Sequence, residues 1–199
     1  MERSSLKIIS VSSSSKKAGK SSLASFLVRE LGADFGLKVS SGGTHNTTET
    51  VITDPEVVLI KGTDTGQLKE AGAKLVIWVN TREDKLEEDL AKALDMLPAA
   101  GLLLVEGNSV VAHLDPDFAV FLMSVPFEDF KPSANIALSK ADLVLVDEDG
   151  AVGKTREDQI VEQLRKSSQD AEIIFYRGGE GRRHAWSDAA RMIRERLKD

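Results

Sequence analysis

The sequence predicts an α/β fold, a doubly wound, mostly parallel sheet with helices on both faces. Three observations carry this. Short apolar runs recur along the 199 residues, at 7–11, 37–39, 57–60, 75–79, 102–105, 118–125, 143–146 and 173–176. Most are continuous rather than alternating, as strands covered on both faces require. Apolar residues at helical spacing fall between several of them. No internal repeat or linker divides the chain, so residues 1–199 are expected to form one domain.

The first run (Ile8, Ile9, Val11) leads into a loop of small residues, then Gly19, Lys20 and Ser21, then a helix whose buried face is Leu23, Phe26, Leu27 and Leu31. This is the strand, loop and helix order of a phosphate loop, G-x-x-x-x-G-K-[ST], except that Ser14 stands where the first glycine belongs. Small residues let the backbone wrap a phosphate with its N–H groups pointing inward, and the helix adds its positive dipole end. Ser15, Lys16, Lys17, Ala18, Gly19, Lys20, Ser21 and Ser22 are therefore the expected contacts of a purine nucleotide, GTP or ATP. Lys20 would reach the outer phosphates and Ser21 would give its hydroxyl to Mg²⁺. Ser14 fits only if its backbone angles suit an L-residue. The plain alternative is an ordinary strand-to-helix junction with a solvated lysine.

Residues 32–51 are the least regular stretch, rich in Gly, Ser and Thr. They hold Thr44-His45-Asn46, where His45 reads as a surface histidine or as a substrate contact. Asp54-Pro55 reads as a turn before the strand at 57–60. In Gly62-Thr63-Asp64-Thr65-Gly66, Asp64 either coordinates Mg²⁺ or orients a substrate; otherwise Thr63 or Asp64 caps a helix over 67–71. After the strand at 75–79, Leu86, Leu90, Ala93, Leu94 and Leu97 mark a helix face. The run 102–105 then ends in Glu106-Gly107. A strand that apolar has reason to end in an acid when the carboxylate serves the edge of the sheet where ligands bind; otherwise it is a solvent-facing strand end. Lys20, Glu106 and Asp64 are thus the candidate catalytic residues, and Ser21, Asp64 and Glu106 the candidate Mg²⁺ ligands.

Further on, Ser139-Lys140-Ala141-Asp142 resembles the guanine-reading pattern [NT]-K-x-D, with Ser139 departing from it. Lys140 and Asp142 would then contact the base, but they precede the strand at 143–146, where the pattern should follow one. Their alternative reading is a helix-end lysine and the leading residue of a strand. Ile160, Val161 and Leu164 mark a helix before the strand at 173–176. Gly178-Gly179-Glu180-Gly181-Arg182-Arg183 is a second candidate for base or phosphate contact, or a flexible turn. Trp186, Ala189, Ala190, Ile193 and Leu197 mark the last helix.

Composition narrows the partners. The chain has no cysteine, which excludes disulfides, thiolate metal sites and cysteine nucleophiles. Its net charge of −6 argues against non-specific nucleic-acid binding. No apolar run approaches the ~20 residues of a membrane span, and the run at 7–11 is too short for the core of a secretory signal. A cytoplasmic protein with no membrane partner is the expectation.

These residues resemble the family of molybdopterin-guanine dinucleotide biosynthesis protein B, among the P-loop NTPases. The resemblance covers roughly residues 6 to 110. It rests on the phosphate loop, on Asp64-Thr65 followed by Glu70-Ala71-Gly72-Ala73 before a strand, and on Val105-Glu106-Gly107. Ala141-Asp142-Leu143-Val144 resembles a late strand of the family. The family's basic, histidine-bearing segment after the second strand is represented only by residues 40–48, with His45. The resemblance implies a dimer that binds GTP with Mg²⁺, hydrolyses it slowly if at all, and assists a cofactor-biosynthesis enzyme. Two rival functions share the loop. One is a small-molecule kinase, because Val105-Glu106-Gly107 also resembles strand ends in P-loop kinases and dethiobiotin synthetase, with Arg182 and Arg183 on a lid. The other is a nucleotide-binding scaffold without turnover.

Overall fold

A computed structural model describes residues 5–15, 18–41, 50–125, 130–148 and 154–198. The strands are β1 (Ser5–Ser13), β2 (Phe35–Ser41), β3 (Val51–Ile52), β4 (Leu75–Thr81), β5 (Ala100–Glu106), β6 (Phe118–Ser124), β7 (Leu143–Asp147) and β8 (Glu172–Tyr176). The helices are α1 (Lys20–Leu31), α2 (Pro55–Val58), α3 (Asp64–Glu70), α4 (Leu86–Asp95), α5 (Pro132–Ser139), α6 (Lys154–Ser167) and α7 (Gly178–Arg196). The strands form one sheet in the order β3-β4-β2-β5-β1-β6-β7-β8. Every neighbouring pair is parallel except β3 with β4.

Alternation along the strands divides the core in two, as expected for a sheet with helices on both faces. Leu37, Leu103, Val105, Phe121 and Val144 face α4, α5 and α6 through Leu90, Ala137 and Ile160. Ile9, Val11, Leu104, Leu122 and Leu145 face α1, α3 and α7 through Leu27, Leu68 and Ala189. Each fully buried Leu, Ile or Phe contributes roughly 1.5–3 kcal/mol, so the sheet is a stiff platform for whatever its edge carries.

One predicted strand is a helix instead. Residues 57–60 do not join the sheet; residues 55–58 are α2. The cause is local. Pro55 sits in the first turn and the Asp54 carboxylate accepts from the Glu56 N–H at 2.9 Å, which together start a helix. The antiparallel edge strand lies earlier, at β3. Gly178 to Arg183, read as a flexible turn or a base contact, form the first turns of α7, and Arg182 pairs with Asp147 at 3.0 Å. No helix among the described residues is long and apolar enough to cross a membrane.

A buried acid ties α4 to the sheet. Asp89 is 3% exposed and accepts from Thr81 Oγ1 at 2.6 Å and Lys92 Nζ at 3.2 Å. Burial opposes its charge, but hydrogen bonds from Thr81, Thr50 and Lys92 prevail and hold its pKa below the usual 3.8. A group depressed in the folded state stabilises above its unfolded pKa, and that contribution is lost as pH falls through the folded value. Urea titrations should therefore show the wild type losing stability more steeply than Asp89→Asn as pH drops below about 4. Parallel pH profiles would contradict the assignment.

Candidate functional site

The phosphate loop lies at the carboxyl edge of the sheet, between β1 and α1. Two neighbours hold its start. Asn108, just beyond β5, accepts from the Ser13 N–H at 3.0 Å and donates its amide to the Ser13 carbonyl at 2.7 Å. The Ser14 N–H donates to the Leu122 carbonyl on β6 at 3.0 Å. Ser14 has no positive φ, so serine stands in the first glycine position without backbone strain. Gly19, the residue before α1, does adopt φ +93°, where a side chain would be strained. Lys16 and Lys17 lie outside the described residues, as does His45.

Lys20 curls back over this loop. Its Nζ donates to Ser13 Oγ at 2.7 Å, and the Ser15 carbonyl lies 3.5 Å away. Ser15 and Ser22 are exposed and Ala18 is buried against the core. Lys20 is the basic residue of the first turn of α1.

Beside it the two acids converge. Glu106 ends β5, which lies next to β1 in the sheet, and Asp64 opens α3. Thr63 sets the start of that helix, its Oγ1 accepting from the Gly66 N–H at 3.1 Å. Asp64 therefore does not cap by its own side chain; that task falls to Thr63, and the Asp64 carboxylate is left for the site. Ser21 Oγ lies 2.7 Å from Asp64 Oδ1 and 3.0 Å from Glu106 Oε1. A hydroxyl has one proton and cannot satisfy both carboxylates at once.

The residue that completes this cluster escaped the sequence reading. Lys38, in the middle of β2, places Nζ 2.6 Å from Glu106 Oε1 and 2.7 Å from Asp64 Oδ2. Its side chain is only 14% exposed. Burial would lower its pKa, but the charge of Glu106 and the hydrogen bonds to Asp64 and Glu106 raise it, so it stays protonated. Asp64 is shifted the other way: its burial is outweighed by hydrogen bonds from Lys38 and Ser21, which keep it ionised. Glu106 is fully buried, and its second oxygen, Oε2, has no hydrogen-bond partner among the described residues. An orphaned buried carboxylate oxygen is costly unless something else fills its shell.

The residues fit Mg²⁺ on these grounds. Two carboxylates and a hydroxyl converge, one oxygen is unsatisfied, and the donor set is all oxygen, the preference of a hard cation. No group of three or more His, Asp or Glu side chains placed to hold a metal occurs among the described residues. Mg²⁺ commonly takes only one or two protein carboxylates, its remaining ligands being water and phosphate. Next to the acids opens a pocket of about 500 Å³, walled by Val57, Ile60 and Trp78, with Lys38, Ser40 and Thr63 as polar lining.

The guanine-reading pair belongs elsewhere. Asp142 precedes β7, at the amino edge of the sheet, opposite the phosphate loop. Its carboxylate accepts from the Ala119 N–H at 2.7 Å and fastens β7 to β6. Lys140, at the end of α5, donates to the Val111 carbonyl at 3.0 Å. Both are structural, for a reason of direction: in a parallel sheet, residues that lead into a strand lie a strand's length from the edge where the loop sits.

No protein-family model matches the chain, and no curated protein matches it. Solved structures do. The hydrogenase maturation factor HypB from Archaeoglobus fulgidus aligns over 98% of this chain and 91% of its own, with a TM-score of 0.58 and 15% identity. HypB from Helicobacter pylori, solved in complex with nickel, aligns over 98% and 88%, with a TM-score of 0.56 and 16% identity. The chain shares its fold with these two structures. At such identities the likeness extends to the fold, and the site is argued from this chain's own residues.

Proposed function

We propose that this protein binds a purine nucleoside triphosphate, GTP or ATP, with Mg²⁺ at the carboxyl edge of its sheet. The observation that supports it most is the convergence of Ser21, Asp64 and Glu106 beside a loop bearing Lys20. Loop N–H groups and the start of α1 orient the phosphates. Lys20 leaves Ser13 Oγ for the outer phosphates, where its charge-assisted bonds are stronger. Ser21, Asp64 and Glu106 would hold Mg²⁺, which offsets charge building up on the phosphates. Asn108 keeps the loop in register with β5.

Slow hydrolysis of the terminal phosphate is the first reading of its chemistry. Assistance to a cofactor-biosynthesis enzyme in molybdopterin guanine dinucleotide assembly, as a dimer, rests on the resemblance over residues 6 to 110. The pocket beside Asp64 favours a second reading, transfer of the phosphate to a small-molecule acceptor seated there. Titration of GTP and ATP by calorimetry, with and without Mg²⁺, tests the binding; heats absent for both nucleotides would overturn it. Incubation with γ-labelled nucleotide then separates the chemistries. Label in free phosphate marks hydrolysis, and label on a metabolite marks transfer.

A further inference from the structure

Lys38 occupies a position with two sides. In the sheet its Cα is aligned with Glu106 on β5 and with Trp78 on β4. Its ammonium now lies on the Glu106 side, between the two carboxylates. On the Trp78 side is the pocket that Lys38 also lines, with Asp64, Trp78, Ser40 and Ile60. The acids carry two formal negative charges and Lys38 returns one, so these three side chains sum to −1, with the Lys20 charge also acting on Asp64, and Glu106 Oε2 stays unsatisfied. A divalent cation would neutralise both acids. It would also repel an ammonium that stands within 2.7 Å of the same oxygens.

We propose that Lys38 and a divalent cation compete for one seat between Asp64 and Glu106. The arriving metal drives the Lys38 ammonium across to the Trp78 side, making the pocket a site for a small carboxylate with an apolar body. This rests on the reading of Ser21, Asp64 and Glu106 as the metal site. It deepens that reading by giving the second ligand a chemistry and an order: metal first, anion after. The pocket offers such a ligand apolar walls in Val57, Ile60 and the Trp78 ring, and one mobile cation at its inner end. Without metal that cation is held by the acids, and the Asp64 carboxylate, which also lines the pocket, repels an anion.

The competition is testable with metal alone. Wild type should bind Mn²⁺ weakly in the absence of nucleotide. Lys38→Met should bind it at least tenfold more tightly, because the internal competitor is gone. Equal or weaker binding by Lys38→Met would overturn the proposal. Lys38→Gln, neutral and polar, repeats the test should the methionine variant fold poorly. In either variant the melting temperature should rise more with MgCl₂ than in wild type, since a ligand of the folded state stabilises in proportion to its affinity.

The relocation has its own readout. The chain has two tryptophans, Trp78 and Trp186, so in a Trp186→Phe background the emission reports Trp78 alone. MgCl₂ should shift that emission as the ammonium nears the ring, and adding Lys38→Met should abolish the shift. Hexanoate, as the carboxylate probe, should perturb it only with MgCl₂ present and Lys38 intact. Hexanoate binding that ignores MgCl₂, or no binding at all, would overturn the anion site. A protein that binds Mg-nucleotide but shows no gain in Lys38→Met loses this proposal alone. One that shows the exchange but binds no nucleotide loses the proposed function alone.

Discussion

Lys20→Ala is expected to abolish nucleotide binding while leaving the fold intact. In the free protein Lys20 bonds Ser13 Oγ and approaches the Ser15 carbonyl, both partly open to water. Losing these contacts costs folding little, because water can replace partners that are already partly exposed. The nucleotide loses far more. An ammonium on phosphate makes charge-assisted bonds of roughly 1.5–3 kcal/mol each, and two of them correspond to about a hundredfold or more in Kd. Calorimetry with Mg²⁺ and GTP or ATP, alongside a thermal melt, separates the two effects. Unchanged affinity in a folded Lys20→Ala variant would remove the phosphate loop from the site. A large drop in melting temperature would instead make Lys20 a structural residue.

This prediction leans on the part of the molecule that local sequence reveals best. A phosphate loop is a contiguous feature: strand, turn and helix follow one another, and Gly19 marks a position whose φ, +93°, favours glycine. Seven of the apolar runs became strands for the same reason, because a strand buried on both faces has little freedom of composition. The exception, 57–60, shows the limit. Four apolar residues satisfy a strand or a buried helix alike, and Asp54-Pro55 decided between them through a side-chain cap that reads equally well as a turn.

The site was legible where it is short-range and opaque where it is assembled across the sheet. Glu106 could be found because an acid ending an apolar strand is anomalous. Asp64 could be found because the glycine and threonine around it mark a helix start. Lys38 gave no such signal. One lysine in a short strand reads as a solvent-facing position, and only the register of β2 against β5 puts it opposite Glu106. Asn108 was equally silent, although its place two residues beyond Glu106 fits it to clamp the adjacent loop. Lys140 and Asp142 failed in the reverse sense. A four-letter match carries no information about which edge of a sheet it lies on, and theirs is the amino edge.

The register that sequence could not supply also sets the largest stability effect expected here. Glu106→Leu should destabilise the protein by about 3 kcal/mol, the lower end for removing one partner of a buried ion pair. The lower end applies because Lys38 retains Asp64, whose side chain is 44% exposed and shares its charge with water. For a chain of this length that corresponds to a fall in melting temperature of roughly 6–12 °C. The informative measurement is a double-mutant cycle. Glu106→Leu leaves a buried ammonium with Asp64 alone, and Lys38→Met leaves the buried Glu106 carboxylate without its cation, so each single change carries a desolvation penalty in addition to the lost contact. Together they replace a charged pair by two apolar chains between β2 and β5, and both penalties vanish. The double variant should therefore be more stable than the sum of the singles by about 2 kcal/mol, well above the ~0.5 kcal/mol within which independent sites add. Urea unfolding without metal measures it. Additive single effects would mean that Lys38 and Glu106 do not pair in solution, and the proposed closure of a metal site by an internal cation would fall with them.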